Sequence, residues 1–124
     1  MSNTVFWDHH ACSIVYADRV TFSEFMGTIF DVHKNEDYNR VTHVIHDMTR
    51  VTDIHFSDEN MIEFAAHELG ARYTNANVQL AVVSTNPAMC AATKMFYELT
   101  KLEIGIFPKV AEAMVWVNQT QIPA

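Results

Sequence analysis

The chain has 124 residues, 49% of them apolar and 19% charged, which is the make-up of one globular domain rather than of a disordered chain. Fifteen Asp and Glu against eight Lys and Arg give a formal charge of -7, so the average surface field repels phosphate backbones and anionic lipid, and nucleic acid is not an expected partner. Cys12 and Cys90 are too few for a disulfide scaffold and read as small core residues. No apolar run approaches the roughly 20 residues of a bilayer span and Met1 to Thr4 lacks a leader pattern, so the expected compartment is the cytoplasm.

In chain order, Thr4 to Asp8 and Cys12 to Ala17 are rich in β-branched and aromatic residues around His9-His10-Ala11, which predicts a hairpin. Thr21-Phe22-Ser23-Glu24 is a capping box, and Phe22, Phe25, Met26, Ile29 and Phe30 behind it form a helical apolar stripe. Asn35 to Asn39 is a polar interruption. A strand follows at Val41 to Asp47, and the polar run Met48 to Asp53 is expected to break it.

Ser57 or Asp58 caps a second helix to Arg72, with Met61, Ile62, Ala65 and Leu69 as its core stripe and Gly70 near its end. Val78 to Val83 is almost wholly apolar, which predicts a strand covered on both faces and central in its sheet. Thr85-Asn86-Pro87 starts a third helix that runs to about Lys101 with Met89, Ala92, Phe96 and Leu99 inward. Leu102 to Phe107 makes a short strand, and Pro108 opens a last helix with Val110, Ala113, Met114 and Val117 toward the core; Gln119 to Ala124 reads as a tail. The order β-β-α-β-α-β-α-β-α suits parallel strands joined by right-handed crossovers.

This order resembles the STAS-like superfamily, the anti-sigma-factor antagonist domains and the small bacterial proteins described as lipid-binding-like. Two stretches carry the resemblance. One is Val44-Ile45-His46-Asp47-Met48-Thr49-Arg50-Val51-Thr52-Asp53-Ile54; the other is Phe107-Pro108-Lys109-Val110-Ala111-Glu112-Ala113-Met114-Val115-Trp116-Val117. The resemblance implies an α/β, STAS-like fold over residues 1–124 as a single domain: a mixed β-sheet of about five strands with an N-terminal hairpin and about four helices. In the antagonist branch an Asp-Ser-Ser-Gly segment opens the helix after this strand, and its second Ser is phosphorylated. The matching stretch is His55-Phe56-Ser57-Asp58, in which only Ser57 agrees, and the Asp58 carboxylate opposes an incoming phosphate.

Ser57 at a helix N-terminus, with Asp58 beside it, is the candidate phosphoacceptor or anion site, and helix capping is its plain structural role. The seven histidines suggest metal, but His43 and His46 fall on opposite faces of a strand, and His67 has only Glu63 and Glu68 near it on its helix. Surface or half-buried histidines are therefore expected, with no metal and no cofactor. His46, Asp47 and Ser57 are the residue types of a hydrolytic triad without a nucleophile elbow. Eight Phe and seven Met suit an adaptable apolar pocket, for which Phe25, Met61, Met89 and Phe96 are the candidate lining.

The reading is a small cytoplasmic binding or interaction module with an apolar ligand pocket, and no commitment to catalysis. The alternatives are an antagonist-like switch at Ser57 and a hydrolase-like enzyme using His46, Asp47 and Ser57. The expected partners are a protein, a second copy through the aromatic hairpin edge at Phe6 and Trp7, or a lipid-like small molecule.

Overall fold

The computed structural model describes residues 3–8 and 10–121. Strands β1 (Thr4–Trp7) and β2 (Ala11–Val20) pair antiparallel. The turn between them is held by the Asp8 carboxylate, which accepts from the backbone N–H of His10 and of Ala11, each at 2.9 Å. Those two bonds pull the Asp8 pKa below its ordinary value, chiefly through His10. His9 of the predicted turn and residues 122–124 of the predicted tail lie outside the described residues.

Helix α1 (Phe22–Lys34) begins at the predicted capping box, with Thr21 accepting from Glu24 N–H and Glu24 accepting from Thr21 N–H, both at 3.1 Å. It turns its Phe25, Met26, Ile29 and Val32 face inward and leaves Phe30 exposed. The polar stretch after it folds as a short 3₁₀ turn at Glu36–Arg40, closed by an Asn35 cap and an Arg40–Asp37 ion pair. Then come β3 (His43–Ile54), α2 (Asp58–Ala71), β4 (Gln79–Val83), α3 (Pro87–Thr100), β5 (Ile104–Phe107) and α4 (Val110–Gln121).

The five strands stand in the order β1-β2-β3-β4-β5, and every pair after the hairpin is parallel. Because successive crossovers advance in one direction with one hand, α1, α2 and α3 all fall on the same face of the sheet. They bury the larger core there, with Ile14, Tyr16, Phe25, Val44, Phe64, Leu80 and Phe96 at its centre. Helix α4 covers the other face through Ala113 and Val117 against Ile45, Ala81 and Val83. On that side Phe107 and Trp116 lie over Gly105 so closely that a Cβ there would come within 2.6 Å of the Phe107 ring.

Four expectations are corrected. Strand β3 does not break after Asp47 but continues to Ile54, because β2 also runs on to Val20 and pairs with it, with a bulge near Asp18 at φ 62°. Strand β4 is interior and covered on both faces, yet β3 holds the middle place of five. Gln119 to Gln121 continue α4 rather than starting a tail. Several stripe residues face solvent: Ile62 and Leu69 on α2, Leu99 on α3, and Val110 and Met114 on α4.

Candidate functional site

Helix α2 is the element whose sequence and packing disagree most. Its inner face is Met61, Phe64, Ala65 and Glu68, so a carboxylate occupies the last core position and is 1% exposed. Its outer face carries Ile62, Ala66 and Leu69 at i, i+4 and i+7, an apolar ridge, and Tyr73 in the turn past the helix end is exposed as well. Ile62 is 52% exposed, Leu69 42% and Tyr73 94%. Asp58, Glu59 and Glu63 are also exposed and give the N-terminal half of the ridge an acidic flank.

The buried Glu68 is met by groups from α1 and its own helix. His33 Nε2 lies 3.4 Å from Glu68 Oε1, and His33 Nδ1 lies 2.8 Å from His67 Nε2, with the two rings stacked. Phe30 packs edge-on to His67, and Tyr38 tilts against His33. Burial lowers the His67 pKa, the His33 charge lowers it further, and Glu68 opposes both. Burial raises the Tyr38 phenol, with Glu68 adding to the effect. Arg72 donates from Nη1 to the Val78 carbonyl. Tyr38 Oη, Glu68 Oε2, and Arg72 Nε and Nη2 are enclosed without a hydrogen-bond partner among the described residues. No group of three or more His, Cys, Asp and Glu among the described residues is arranged to hold a metal ion.

The four apolar residues proposed as a pocket lining do come together. Phe25, Met61, Met89 and Phe96 line one cavity between the helices and the sheet, with Met48, Phe56, Phe64, Leu80 and His46. Its volume is about 30 Å³, room for one or two waters and not for an organic ligand while it stays closed. Outside it, an open groove of about 240 Å³ between α2 and α3 is lined by Ala88, Ala91 and Met95. Phe56, Met61, Met89 and Ala92 belong to both walls.

His46 is 3% exposed rather than half-buried as expected, and His43 is 5% exposed, because β3 is covered by helices on both faces. The Tyr16 hydroxyl lies 3.0 Å from His46 Nδ1. Burial drives the His46 pKa down to about 4, against the pull of Glu68. Of the proposed triad, His46 faces this core, its neighbour Asp47 points to the opposite face and accepts from Thr49 N–H and Oγ1, and Ser57 is engaged with Asn60. They are not brought together. Ser57 is the N-cap of α2, its Oγ accepting from Asn60 N–H at 3.1 Å, with Asp58 exposed beside it. Cys12 is buried and Cys90 half-buried, both free thiols.

Sequence reasoning missed Glu68, His33, Tyr16 and Tyr38. The signal for Glu68 was present, since 61, 64, 65 and 68 keep helical spacing. Choosing the apolar Ile62 and Leu69 for the core concealed it.

No protein-family model and no curated protein sequence matches the chain. Solved structures do. The anti-sigma factor antagonist SpoIIAA in its unphosphorylated form superposes with a TM-score of 0.65 at 9% identity, over 97% of this chain and 99% of that one. The Bacillus cell fate determinant SpoIIAA in the phosphorylated form gives 0.63 at 12% identity, over 93% and 98%. An uncharacterised DUF3478-family protein from Shewanella loihica PV-4 with a SpoIIAA-like fold gives 0.53 at 10% identity, over 93% and 91%. With five strands, the N-terminal hairpin and four helices in matching order along nearly its whole length, the chain has the SpoIIAA-like, STAS-like fold.

Proposed function

We propose that the chain is a protein-interaction module that presents the outer face of α2 to a partner with an apolar groove and a basic rim. The observation that carries this is the make-up of α2, which encloses Glu68 beside Met61, Phe64 and Ala65 and leaves Ile62, Leu69 and, past its end, Tyr73 exposed. Exposing apolar side chains in one line while enclosing a carboxylate is costly for a helix that serves only its own core, and contiguous exposed apolar surface marks interaction sites. The acidic flank of Asp58, Glu59 and Glu63 and the net charge of -7 favour a basic partner through complementary fields. The fold neighbour SpoIIAA is an anti-sigma factor antagonist, a protein that acts on another protein, which supports the same class of role here. Affinity capture with the wild-type chain and with an Ile62→Glu, Leu69→Glu double variant tests it: a partner held by the first and lost by the folded second supports the reading.

Two narrower proposals attach to the same module. Ser57 as a phosphoacceptor is supported by its place at the N-terminus of α2, where free N–H groups and the helix dipole favour an anion, and by the existence of SpoIIAA in a phosphorylated form. The adjacent Asp58 and Glu59 oppose it. Phosphate found on the Ser57 peptide of protein isolated from its own cells supports the proposal, and its absence there sinks it. Pairing of two copies through β1 is supported by the outer position of that strand and by Phe6, which is exposed on it. A molar mass by light scattering that stays monomeric across concentration overturns that proposal.

A further inference from the structure

The cavity behind Phe56 holds one polar group that the fold leaves unanswered. His46 is enclosed, lines the cavity and has no partner for Nε2 among the described residues. Its other ring nitrogen is committed to Tyr16. Tyr16 keeps its proton, since burial pushes its pKa well above the ordinary value, and donating it to Nδ1 leaves a single group unpaired, the Nε2–H. The reverse arrangement, with Nδ1–H donating, leaves both the tyrosine hydrogen and Nε2 unmatched. A buried donor without an acceptor costs about 1–3 kcal/mol, and native cores seldom carry one unless something fills the place.

At about 30 Å³ the closed cavity has room there only for water, and the remaining lining says what else suits the place once the cavity widens. Thr93 is the other polar side chain of the wall, and its hydroxyl is spent on the Met89 carbonyl at 2.8 Å. The rest is Phe, Met, Leu, Val, Ala and Ile, with no cation among them, so a charged head is disfavoured by its own desolvation. Phe56, in the short connection between β3 and α2, is one of four residues that stand in the walls of both the cavity and the outer groove. Its ring is half-buried and rests edge-on against Phe22 at 5.2 Å and tilted against Phe25 at 5.0 Å. Of those four, Phe56 is the one carried on a connection rather than on a helix, and the flexible Met61 and Met89 suit a wall that adapts to what enters.

We propose that this space is a binding site for a small uncharged compound with an apolar body and one hydrogen-bond acceptor, such as a ketone, the acceptor taking the Nε2–H of His46 and the body lying between Met61, Met89 and Phe96. Phe56 is the gate, and the groove between α2 and α3 is the approach. The cavity lies on the inner side of α2, away from the exposed Ile62 and Leu69, and only Asp58 of the acidic flank also borders the groove, so either proposal stands or falls without the other.

Cyclohexanone is a suitable probe, followed by NMR of the histidine ring nitrogens and the methionine methyls. The expected result is saturable binding that shifts His46 Nε2 together with the Met61 and Met89 methyls. A Phe56→Ala variant binds more tightly because its gate is gone, and His46→Leu binds about tenfold more weakly through loss of one hydrogen bond. Should His46→Leu fail to fold, the wild-type Nε2 shift and the Phe56→Ala comparison still decide. Shifts confined to the groove methyl of Met95 with His46 unmoved, or no binding to Phe56→Ala, overturn the proposal. So does a long-lived water at Nε2 that saturating ketone fails to displace.

Discussion

The Tyr16 hydroxyl on β2 and the Nδ1 of His46 on β3 lie 3.0 Å apart inside the larger core. The burial of His46 in that place makes stability depend on pH with a definite sign. A free histidine titrates near 6.5, whereas burial brings His46 down to about 4. Between those values the unfolded chain takes a proton that the folded chain refuses, so the folded state loses stability as pH falls from about 6.5 to about 4, by roughly 3 kcal/mol for a shift of this size. The lowered pKa values of His43 and His67 act in the same direction. Urea unfolding at about pH 7.5 and about pH 5 is expected to show lower stability at the acid value, and His46→Phe is expected to reduce the difference. Equal stability at the two pH values would sink this account of His46.

The His33 and His67 rings share one hydrogen bond between facing nitrogens, so both cannot carry a proton on the facing side. After burial, the His33 charge is the next cause of the low His67 pKa. Replacing His33 by Phe keeps a stacked ring and removes the charge. The His67 titration midpoint, followed by the ring proton shift, is expected to rise toward its ordinary value. A midpoint that stays or falls contradicts the pairing.

The two faces of α2 are expected to answer mutation differently. Phe64 is 6% exposed and packs on the rings of Phe25 and Phe96 at 5.0 Å. Truncating Phe64 to Ala is expected to cost about 3–5 kcal/mol in urea unfolding. Ile62→Glu and Leu69→Glu replace exposed side chains and are expected to change stability by no more than about 0.5 kcal/mol each. Large destabilisation by either Glu would show that the outer ridge serves this chain's own core.

Much of this architecture is legible in the sequence because its signals are local. The capping box at Thr21 and Glu24 with the stripe behind it places α1, Pro87 after Asn86 places α3, and the apolar run to Val83 places a strand covered on both faces. The far half of β3 is not legible. From Met48 to Asp53 its outward residues are polar because the two-stranded ribbon it forms with β2 leaves them in solvent, and the pairing that makes it a strand comes from residues more than thirty positions away. At the site, the convergence of Phe25, Met61, Met89 and Phe96 follows from helical spacing on three helices sharing one face. Glu68 was hidden by the rule that apolar residues go inside. That rule fails here because His33 and His67 supply polar company within the fold, which no single stretch of sequence reveals.

The most direct test of the interaction surface is to place a photo-crosslinking amino acid at Leu69 on the α2 ridge and, as a control, at Val115, an exposed apolar residue on α4. Irradiated in the cells that make the protein, the Leu69 position is expected to yield a discrete adduct with another protein that Ile62→Glu abolishes, and the Val115 position is expected to yield none of it. No adduct at Leu69, or the same adduct from both positions, would contradict the assignment of α2 as the binding face.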